Sequence, residues 1–341
     1  MIPIWKDKDV TLTPDATGRV PFAISVNGAG VYLGVAVSKG AGNCEVRVND
    51  IIADYLYNII PSSFTPDGGL SEAEDTAYNV ALPVQVIDRN DGTTKMSDVF
   101  KYDWSYDNAV SAATKFSDPI NGRIDPRMPL IWTSYAGADT TIEIVGYART
   151  GDFLYEDYNN DYSAANVEDH LTYDVAEGAH NMYLYGDDVA DYQWLVRDED
   201  GFVYKVVTPC HRYALYYVNA YGGIDFLLLE GTCKMQDNLT RYTTKKTYNN
   251  STPSARGKAE YLNEQVRVYT LNTGLMTEAE ASKMHHLLES TNVCLWDNVE
   301  GVMRPVVLTD NNVAHKTYKG EGRNLIRYTI TAELARDRQR R

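Results

Sequence analysis

Long apolar stretches are missing from this sequence of 341 residues. No apolar run approaches the ~18 residues that a membrane-spanning helix needs, so we expect no membrane span. The N-terminus, Met1-Ile-Pro-Ile-Trp-Lys-Asp7, has neither the apolar core nor the cleavage site of a secretory signal. These absences predict a protein that is made and assembled in a cytoplasm.

Cysteine is also scarce. The four cysteines, Cys44, Cys210, Cys233 and Cys294, lie far apart and form no C-x-x-C pair. Zinc ribbons need such pairs, and four cysteines in a chain of this length do not make a disulfide framework. We expect reduced, partly buried thiols.

Motifs of catalysis and nucleotide binding are absent. There is no G-x-x-x-x-G-K-[ST] phosphate loop and no G-x-S-x-G nucleophile elbow. Residues 28–34 are glycine-rich, but Val35 continues as strand where a helix must begin to receive a pyrophosphate. Cys210 and His211 are neighbours, and neighbours in a strand point to opposite faces. The sequence predicts no enzyme, no catalytic residue and no cofactor, although its many carboxylates leave room for a glycosidase pair.

One acidic segment partly matches a calcium site. Asp157, Asn159, Asp161 and Glu168 occupy oxygen-ligand positions of an EF-hand loop. Tyr162 stands where the sharp turn requires glycine, and no amphipathic helices flank the segment. We therefore interpret the 157–168 loop as an acidic solvated loop, with calcium binding as the open alternative.

Histidines give no metal pattern. His285 and His286 are adjacent on a predicted helix and are expected to point in different directions. No H-E-x-x-H motif supports them. We expect all the histidines to lie at the surface or at interfaces and to bind no metal. The remaining four are His170, His180, His211 and His315.

Charge is distributed unevenly along the chain. Residues 1–202 hold 13 basic and 33 acidic residues, whereas residues 203–341 hold 19 basic and 14 acidic residues. Affinity for phosphate comes mostly from Lys and Arg, so the acidic majority argues against specific binding of nucleic acid. The change of sign near residues 198–201 predicts a domain boundary.

Aromatic residues are dominated by tyrosine, with 26 tyrosines against 7 phenylalanines. Tyrosine suits half-buried β surfaces and protein interfaces. Trp104, Trp132 and Trp194 fall in strand-rich regions, where exposed tryptophans would stack on sugars and buried ones would pack in a core.

Short alternating segments separated by glycine, asparagine and aspartate predict a β-rich N-terminal two-thirds. A short helix is expected after residue 49, with Asp50 as N-cap and Pro61 as stop. We expect strands at Val20–Val26, Val31–Val37, Cys44–Val48, Val84–Ile87, Thr94–Phe100, Leu130–Tyr135, Thr141–Tyr147, Asn181–Tyr185 and Tyr192–Val196.

The last third predicts strands, one helix, then strands. Tyr213–Glu230 is typical of a β-hairpin, with Gly222 and Gly223 in a tight two-residue turn. Thr277 and Glu280 form a capping box, and Asn292 is expected to end the helix. Its apolar stripe is Ala281, Met284, Leu287 and Leu288. Further strands are expected at Tyr261–Leu271, Val293–Trp296, Val302–Thr309 and Asn324–Leu334, before a solvated or subunit-contacting tail, Arg336–Arg341.

Five segments of this last third carry a family resemblance. They are Tyr217–Gly231, Asp237–Tyr242, Lys258–Glu264, Thr273–Thr291 and His315–Ile330. Together they resemble virion proteins of phages and prophages of gut Bacteroidales. The order of strands and helix is also similar to the module shared by tail-tube and distal-tail proteins, in which strands form a ring around a lumen and a helix packs outside. The resemblance implies no catalytic residue.

The predicted fold class is mainly β, with β-sandwich-like or barrel-like units and a tail-tube-like module carrying one helix packed on β-sheets. We expect an N-terminal β-sandwich-like domain at 1–105, an acidic β-rich domain or elaboration at 106–202, and a C-terminal β-α-β module at 203–341. The resemblance implies a structural subunit of a virion, in the tail or distal tail and baseplate, whose partners are copies of itself in a ring and other tail proteins. The alternatives are a receptor- or carbohydrate-binding module on the particle, and a hydrolase that degrades capsule or cell wall.

Overall fold

Strands dominate the computed structural model of the chain, and the expected mainly-β class with several sheets is confirmed. The structure describes residues 1–38, 42–56, 59–65, 69–73, 81–103, 116–148, 168–197, 201–245, 258–309, 325–335 and 338–340. All nine strands expected in residues 1–202 are present, with ends shifted by no more than three residues. Short apolar or alternating runs bounded by glycine, asparagine and aspartate were a sufficient signal there, both for strands with one buried face and for β10, which is buried on both faces.

The N-terminal strands form a five-stranded sheet and a separate pair. The sheet runs in the order β1-β8-β7-β3-β4, and β2 pairs with β5. Its core contains Val20, Phe22 and Ile24 from one face of β3. The elements are β1 (Ile2–Pro3), β2 (Asp9–Leu12), β3 (Arg19–Val26), β4 (Ala29–Val37), β5 (Cys44–Arg47), α1 (Asn49–Ile52), β6 (Ser71–Glu72), β7 (Ala81–Asp88) and β8 (Thr94–Lys101).

The expected helix from Asp50 to Pro61 is wrong in extent. Only one turn, α1, forms, followed by a 3-10 turn at Ala53–Tyr55, and no side chain caps its N-terminus. Asn49, just before Asp50, instead ties this segment to the N-terminus. Its amide donates to the carbonyls of Ile4 and Lys6 at 2.9 and 2.7 Å. Tertiary hydrogen bonds therefore decide the local structure here.

The middle of the chain forms two sheets that pack on each other. Their orders are β10-β13-β6 and β12-β11-β14-β15-β9. The elements are β9 (Arg123–Ile124), β10 (Leu130–Ala136), β11 (Thr140–Ala148), β12 (Glu168–Val175), β13 (Gly178–Leu184), α2 (Asp187–Ala190), β14 (Tyr192–Arg197) and β15 (Val203–Val206).

The C-terminal strands form an eight-stranded sheet. Its order is β17-β16-β20-β21-β22-β19-β18, and β23 also pairs with β19. The expected tail is therefore in part a strand. The elements are β16 (Tyr213–Val218), β17 (Ile224–Leu228), β18 (Lys234–Lys245), β19 (Lys258–Asn272), α3 (Glu278–Ser282), α4 (Met284–Leu288), β20 (Val293–Asp297), β21 (Val302–Leu308), β22 (Thr329–Leu334) and β23 (Arg338–Arg340).

Several features of this sheet differ from expectation, including β18, which was not expected, and β22, which begins at Thr329 rather than near Asn324. Residues 219–223 form a five-residue loop between β16 and β17, rather than a two-residue turn, and only Gly222 has a positive φ. The helix is interrupted at Lys283 and ends at Leu288, well before Asn292. The capping box is confirmed: the Thr277 N–H donates to the Glu280 carboxylate at 2.6 Å, and the Glu280 N–H donates to Thr277 Oγ1 at 3.2 Å.

Both faces of β16 are buried. Tyr213, Leu215 and Tyr217 face the core that holds the helices. Ala214, Tyr216 and Val218, which alternate with them, enter the core of the middle sheets. One strand thus joins two cores, which explains its continuous apolar sequence. The division at 1–105, 106–202 and 203–341 stays a prediction.

Candidate assembly surface

The longest strand pairing lies at the edge of the C-terminal sheet. β18 and β19 pair at twelve register positions, from Lys234 opposite Thr270 to Lys245 opposite Lys258. β19 pairs with β22 only over Val268–Asn272, and with β23 over Asn263–Gln265. We call this pair of strands the arm. In the described part of the chain, β18 has no strand on its outer edge.

Side chains of β18 avoid the core of their own chain, whereas Tyr269 and Leu271 at the end of β19 are buried in the core that holds the helices. β18 is exposed from Lys234 to Thr244. Met235 and Leu239 are four residues apart and therefore share a face, and Leu239 is 58% exposed. Asp237 lies between them on the same face, so they are two separate exposed apolar residues, and the open strand edge that carries them is a template for pairing with another chain.

Cross-strand polar pairs hold the arm in shape. Arg267 donates two hydrogen bonds to the Asp237 carboxylate, at 2.7 and 3.1 Å. These bonds raise the pKa of the Arg267 guanidinium above its ordinary value. The Tyr242 hydroxyl donates to Glu264 at 3.0 Å. Surface pairs of this kind contribute little stability, about 0–1 kcal/mol each, but they fix the geometry of the exposed part of the ribbon.

A buried polar cluster connects the base of this sheet to earlier parts of the chain. The Asn219 amide donates to the Phe116 carbonyl at 2.8 Å and to the Asp225 carboxylate at 2.5 Å. The Asp118 N–H donates to the same Asp225 oxygen at 3.0 Å. Burial raises the pKa of Asp225 to about 6, and the hydrogen bond from Asn219 opposes that rise. The cluster fixes the segment around residue 116 against β17.

Asp118 extends this cluster to the helices. Its carboxylate accepts a hydrogen bond from Lys283 at 2.8 Å and lies 3.8 Å from His286 Nε2. The interruption between α3 and α4 falls at Lys283, so the break coincides with this ion pair. These contacts join parts of the chain, and Asp225 itself is only 1% exposed. A cleft of about 310 Å³ lies beside the cluster and is lined in part by Asn219 and His286.

A separate polar cleft lies beside the middle sheets. Its volume is about 310 Å³, and its walls include Ser63, Thr65, Ser71 and Tyr173. Glu72, also in the wall, pairs with His180 Nδ1 at 2.8 Å. Hydroxyls, one carboxylate and tyrosine rings are the groups that proteins use to hold small polar ligands.

Two histidines do not lie at the surface as the sequence predicts, whereas His170 is exposed. His180 and His286 are buried rather than at the surface. The rings of His285 and His286 lie with centroids 4.0 Å apart, so the expected divergence is wrong. His315 lies outside the described residues. Within the described ranges, no group of three or more His, Cys, Asp or Glu side chains could hold a metal ion.

Cys210 and His211 lie in a loop rather than in a strand, so the expected opposite orientation is wrong. The thiol lies 3.7 Å from His211 Nδ1 and 3.8 Å from Nε2, while Asp125 lies 3.4 Å from Nδ1. A catalytic dyad needs the thiol at one ring nitrogen and the orienting carboxylate at the other. Burial tends to raise the pKa of Asp125, but hydrogen bonds from Arg127 and the His211 N–H lower it. This arrangement holds a loop and lacks the geometry of a nucleophile and base.

The remaining candidate residues divide between core and undescribed parts. Trp132 is fully buried, so it cannot stack on a sugar, and Lys205 Nζ lies 5.0 Å from the ring centroid of Trp194. Trp104 and residues 157–167 of the acidic loop lie outside the described residues, and Glu168 begins β12. The four cysteines are free thiols; their exposure ranges from buried Cys44 and Cys294 through half-buried Cys233 to exposed Cys210.

Comparison with known proteins assigns this arrangement to no family. Among the described residues, no helix has both the length and the apolar character to cross a membrane. No protein-family model matches the chain. No curated protein and no solved structure matches it either.

Proposed function

We propose that this chain is a structural subunit of a bacteriophage virion, in the tail or the distal tail and baseplate, that assembles with copies of itself into a ring. The arm carries this proposal: a preformed, twelve-position ribbon with exposed apolar side chains and an open edge. The C-terminal sheet would build the ring, and the acidic residues 1–202 would face outward. The sequence resemblance supports the virion as the location.

The chemistry of the described residues agrees with a role in assembly. Buried Asp225 and half-buried Asp118, the carboxylates of the polar cluster, bond groups of their own chain. Cys210 and His211, the closest pair to a nucleophile and base, lack the required geometry. We therefore propose no enzymatic activity.

Changing the arm face that carries Met235 and Leu239 is expected to prevent assembly without unfolding the subunit. The double variant Met235→Lys, Leu239→Lys places two charges on that face, where a neighbouring subunit would have to desolvate them. We expect the dissociation constant of the oligomer to rise by about tenfold or more. Sedimentation and negative-stain imaging of the full chain would measure this.

Val299→Lys is the matched control, because Val299 is 70% exposed and lies in the turn between β20 and β21. It should leave the oligomer intact. A wild-type chain that remains monomeric at high concentration would refute the ring. Equal effects of the arm variant and the control would refute the arm as its interface.

The polar cleft favours a second candidate function, a carbohydrate- or receptor-binding module on the same particle. Glu72 and the neighbouring hydroxyls would bond sugar hydroxyls, and Tyr173 would offer a ring face. Saturation-transfer NMR with a panel of oligosaccharides tests this. Binding that is lost in Glu72→Gln would support the module, and no saturation transfer to any sugar would exclude it.

A further inference from the structure

The N-terminal sheet carries a second open edge, of a different kind. β4 is the last strand of the N-terminal sheet, and its nine residues contain no charge. Leu33, Val35 and Val37 are 68%, 58% and 63% exposed. Natural edge strands are guarded by charged residues, proline, bulges or a covering segment. Among the described residues, none of these protecting features is found along residues 33–37 of β4.

These three residues form one row on the outer face of the sheet. They alternate along β4, so they point to the same side. Their partners in β3 are Ala23, Pro21 and Arg19. The core residues Val20, Phe22 and Ile24 occupy the intervening positions of β3 and face the other way. The three apolar side chains of this row therefore lie outside the core of the monomer and do not contribute to its packing.

An apolar residue lies two positions from Val35 on each side, Leu33 before it and Val37 after it. If two β4 strands run antiparallel with Val35 opposite Val35, Leu33 of each copy faces Val37 of the other. On the inner face Gly34 then lies opposite Ala36, so two small residues meet and the backbones can approach. The one register shift of β4, at Val31, lies outside this segment, so residues 33–37 are regular strand.

We propose that β4 is a docking site for β4 of a second copy of this chain, paired antiparallel about Val35. The contact is two-fold symmetric and joins two five-stranded sheets into one. It goes beyond the ring proposed above, because it uses a different strand in a different part of the chain.

The pattern of charge favours a second β4 over the arm as the occupant. β18 carries Lys234, Asp237 and Arg241 within its first eight residues. Laid along β4, these side chains would lie opposite valine and leucine and would lose water without gaining a partner. A second β4 presents only apolar or small side chains, so every position is matched.

Disulfide trapping at the symmetry axis tests the pairing. Residues directly opposite in an antiparallel pair have Cα atoms about 4.5–5.5 Å apart, which a disulfide can bridge. We therefore expect Val35→Cys, in a Cys210→Ser background that removes the exposed thiol, to give a reducible covalent dimer on mild oxidation of the full chain. Val299→Cys in the same background should give at most a trace, because its thiol is as exposed but lies far along the sequence from β4.

A mixture tests the register. Leu33→Cys and Val37→Cys should form a covalent dimer with each other, and much less when each is oxidised alone. Equal trapping of Val35→Cys and Val299→Cys would overturn the proposal, and so would trapping that is independent of register. Adding Met235→Lys and Leu239→Lys to Val35→Cys separates the two interfaces: we expect the ring to be lost and the covalent dimer to remain. Loss of trapping in that combination would mean that the β4 contact depends on the ring and would overturn it as an independent interface.

Discussion

Gly223→Ala is expected to destabilise the chain by about 3 kcal/mol, because an added methyl group has no space. A Cβ on Gly223 would lie 1.9 Å from the carbonyl oxygen of Phe116, a backbone atom that no rotamer change can move. The same oxygen accepts the 2.8 Å hydrogen bond from Asn219, so relief of the clash would break the buried cluster. The clash with the Phe116 carbonyl and the weakening of its hydrogen bond from Asn219 therefore both lower the free energy of unfolding.

Urea unfolding followed by tryptophan fluorescence would measure this change in the free energy of unfolding. Gly137→Ala is the control, since no atom lies within 4 Å of its added Cβ. It should change stability by no more than about 0.5 kcal/mol. Equal unfolding midpoints for the two variants would contradict a tight contact between residue 223 and the segment around Phe116.

Strands with one face on a core were predictable from the sequence. β3 alternates buried apolar residues with more exposed ones, whereas β4 is apolar or small almost throughout. Between the two strands, Asn27 and Gly28 both have positive φ, as a tight hairpin turn requires. The capping box at Thr277 was predictable for a similar reason, since its two hydrogen bonds join residues three positions apart. Both signals are local and depend on nothing elsewhere in the chain.

The sequence did not predict β18, because alternation of apolar residues marks a strand only when one of its faces is buried. Its residues from Lys234 to Thr244 are exposed on both faces, so no alternation marks them. The strand is held by its pairing to β19 and by the bond between Asp237 and Arg267, thirty residues apart. The proposed assembly surface is therefore the part of the chain that composition and periodicity describe least.

The buried cluster was equally invisible to the sequence. Asp118 and Asp225 are 107 residues apart, and each alone reads as an ordinary surface carboxylate. The loop at residues 219–223 is longer than the two-residue turn expected there, and it places the Asn219 amide against the Asp225 carboxylate and the Phe116 carbonyl. The incorrect prediction of the turn and the missed cluster thus have one cause, a side chain that organises the loop around a tertiary contact.

Asp225 is expected to make the chain less stable as pH rises from about 4 to about 6. Burial raises its folded-state pKa to about 6, while an unfolded aspartate titrates near its ordinary value of 3.8. Between these values the folded state holds the proton and the unfolded state has lost it, so the free energy of unfolding falls with rising pH and levels off above the folded pKa. A shift of about two units corresponds to a loss of about 3 kcal/mol.

Asp225→Asn separates this effect from those of the other carboxylates, because the amide cannot titrate and retains an oxygen for the Asn219 and Asp118 donors. We expect the stability of the wild type relative to this variant to fall by up to about 3 kcal/mol between pH 4 and 7. The pKa of Asp125 is lowered in the folded state, so Asp125 makes the chain more stable as pH rises. Both proteins contain Asp125, so its contribution cancels in the comparison. Parallel stability curves for the two proteins would mean that Asp225 is charged and compensated in the folded state, with Arg197, whose charge lowers the Asp225 pKa, as the compensating group.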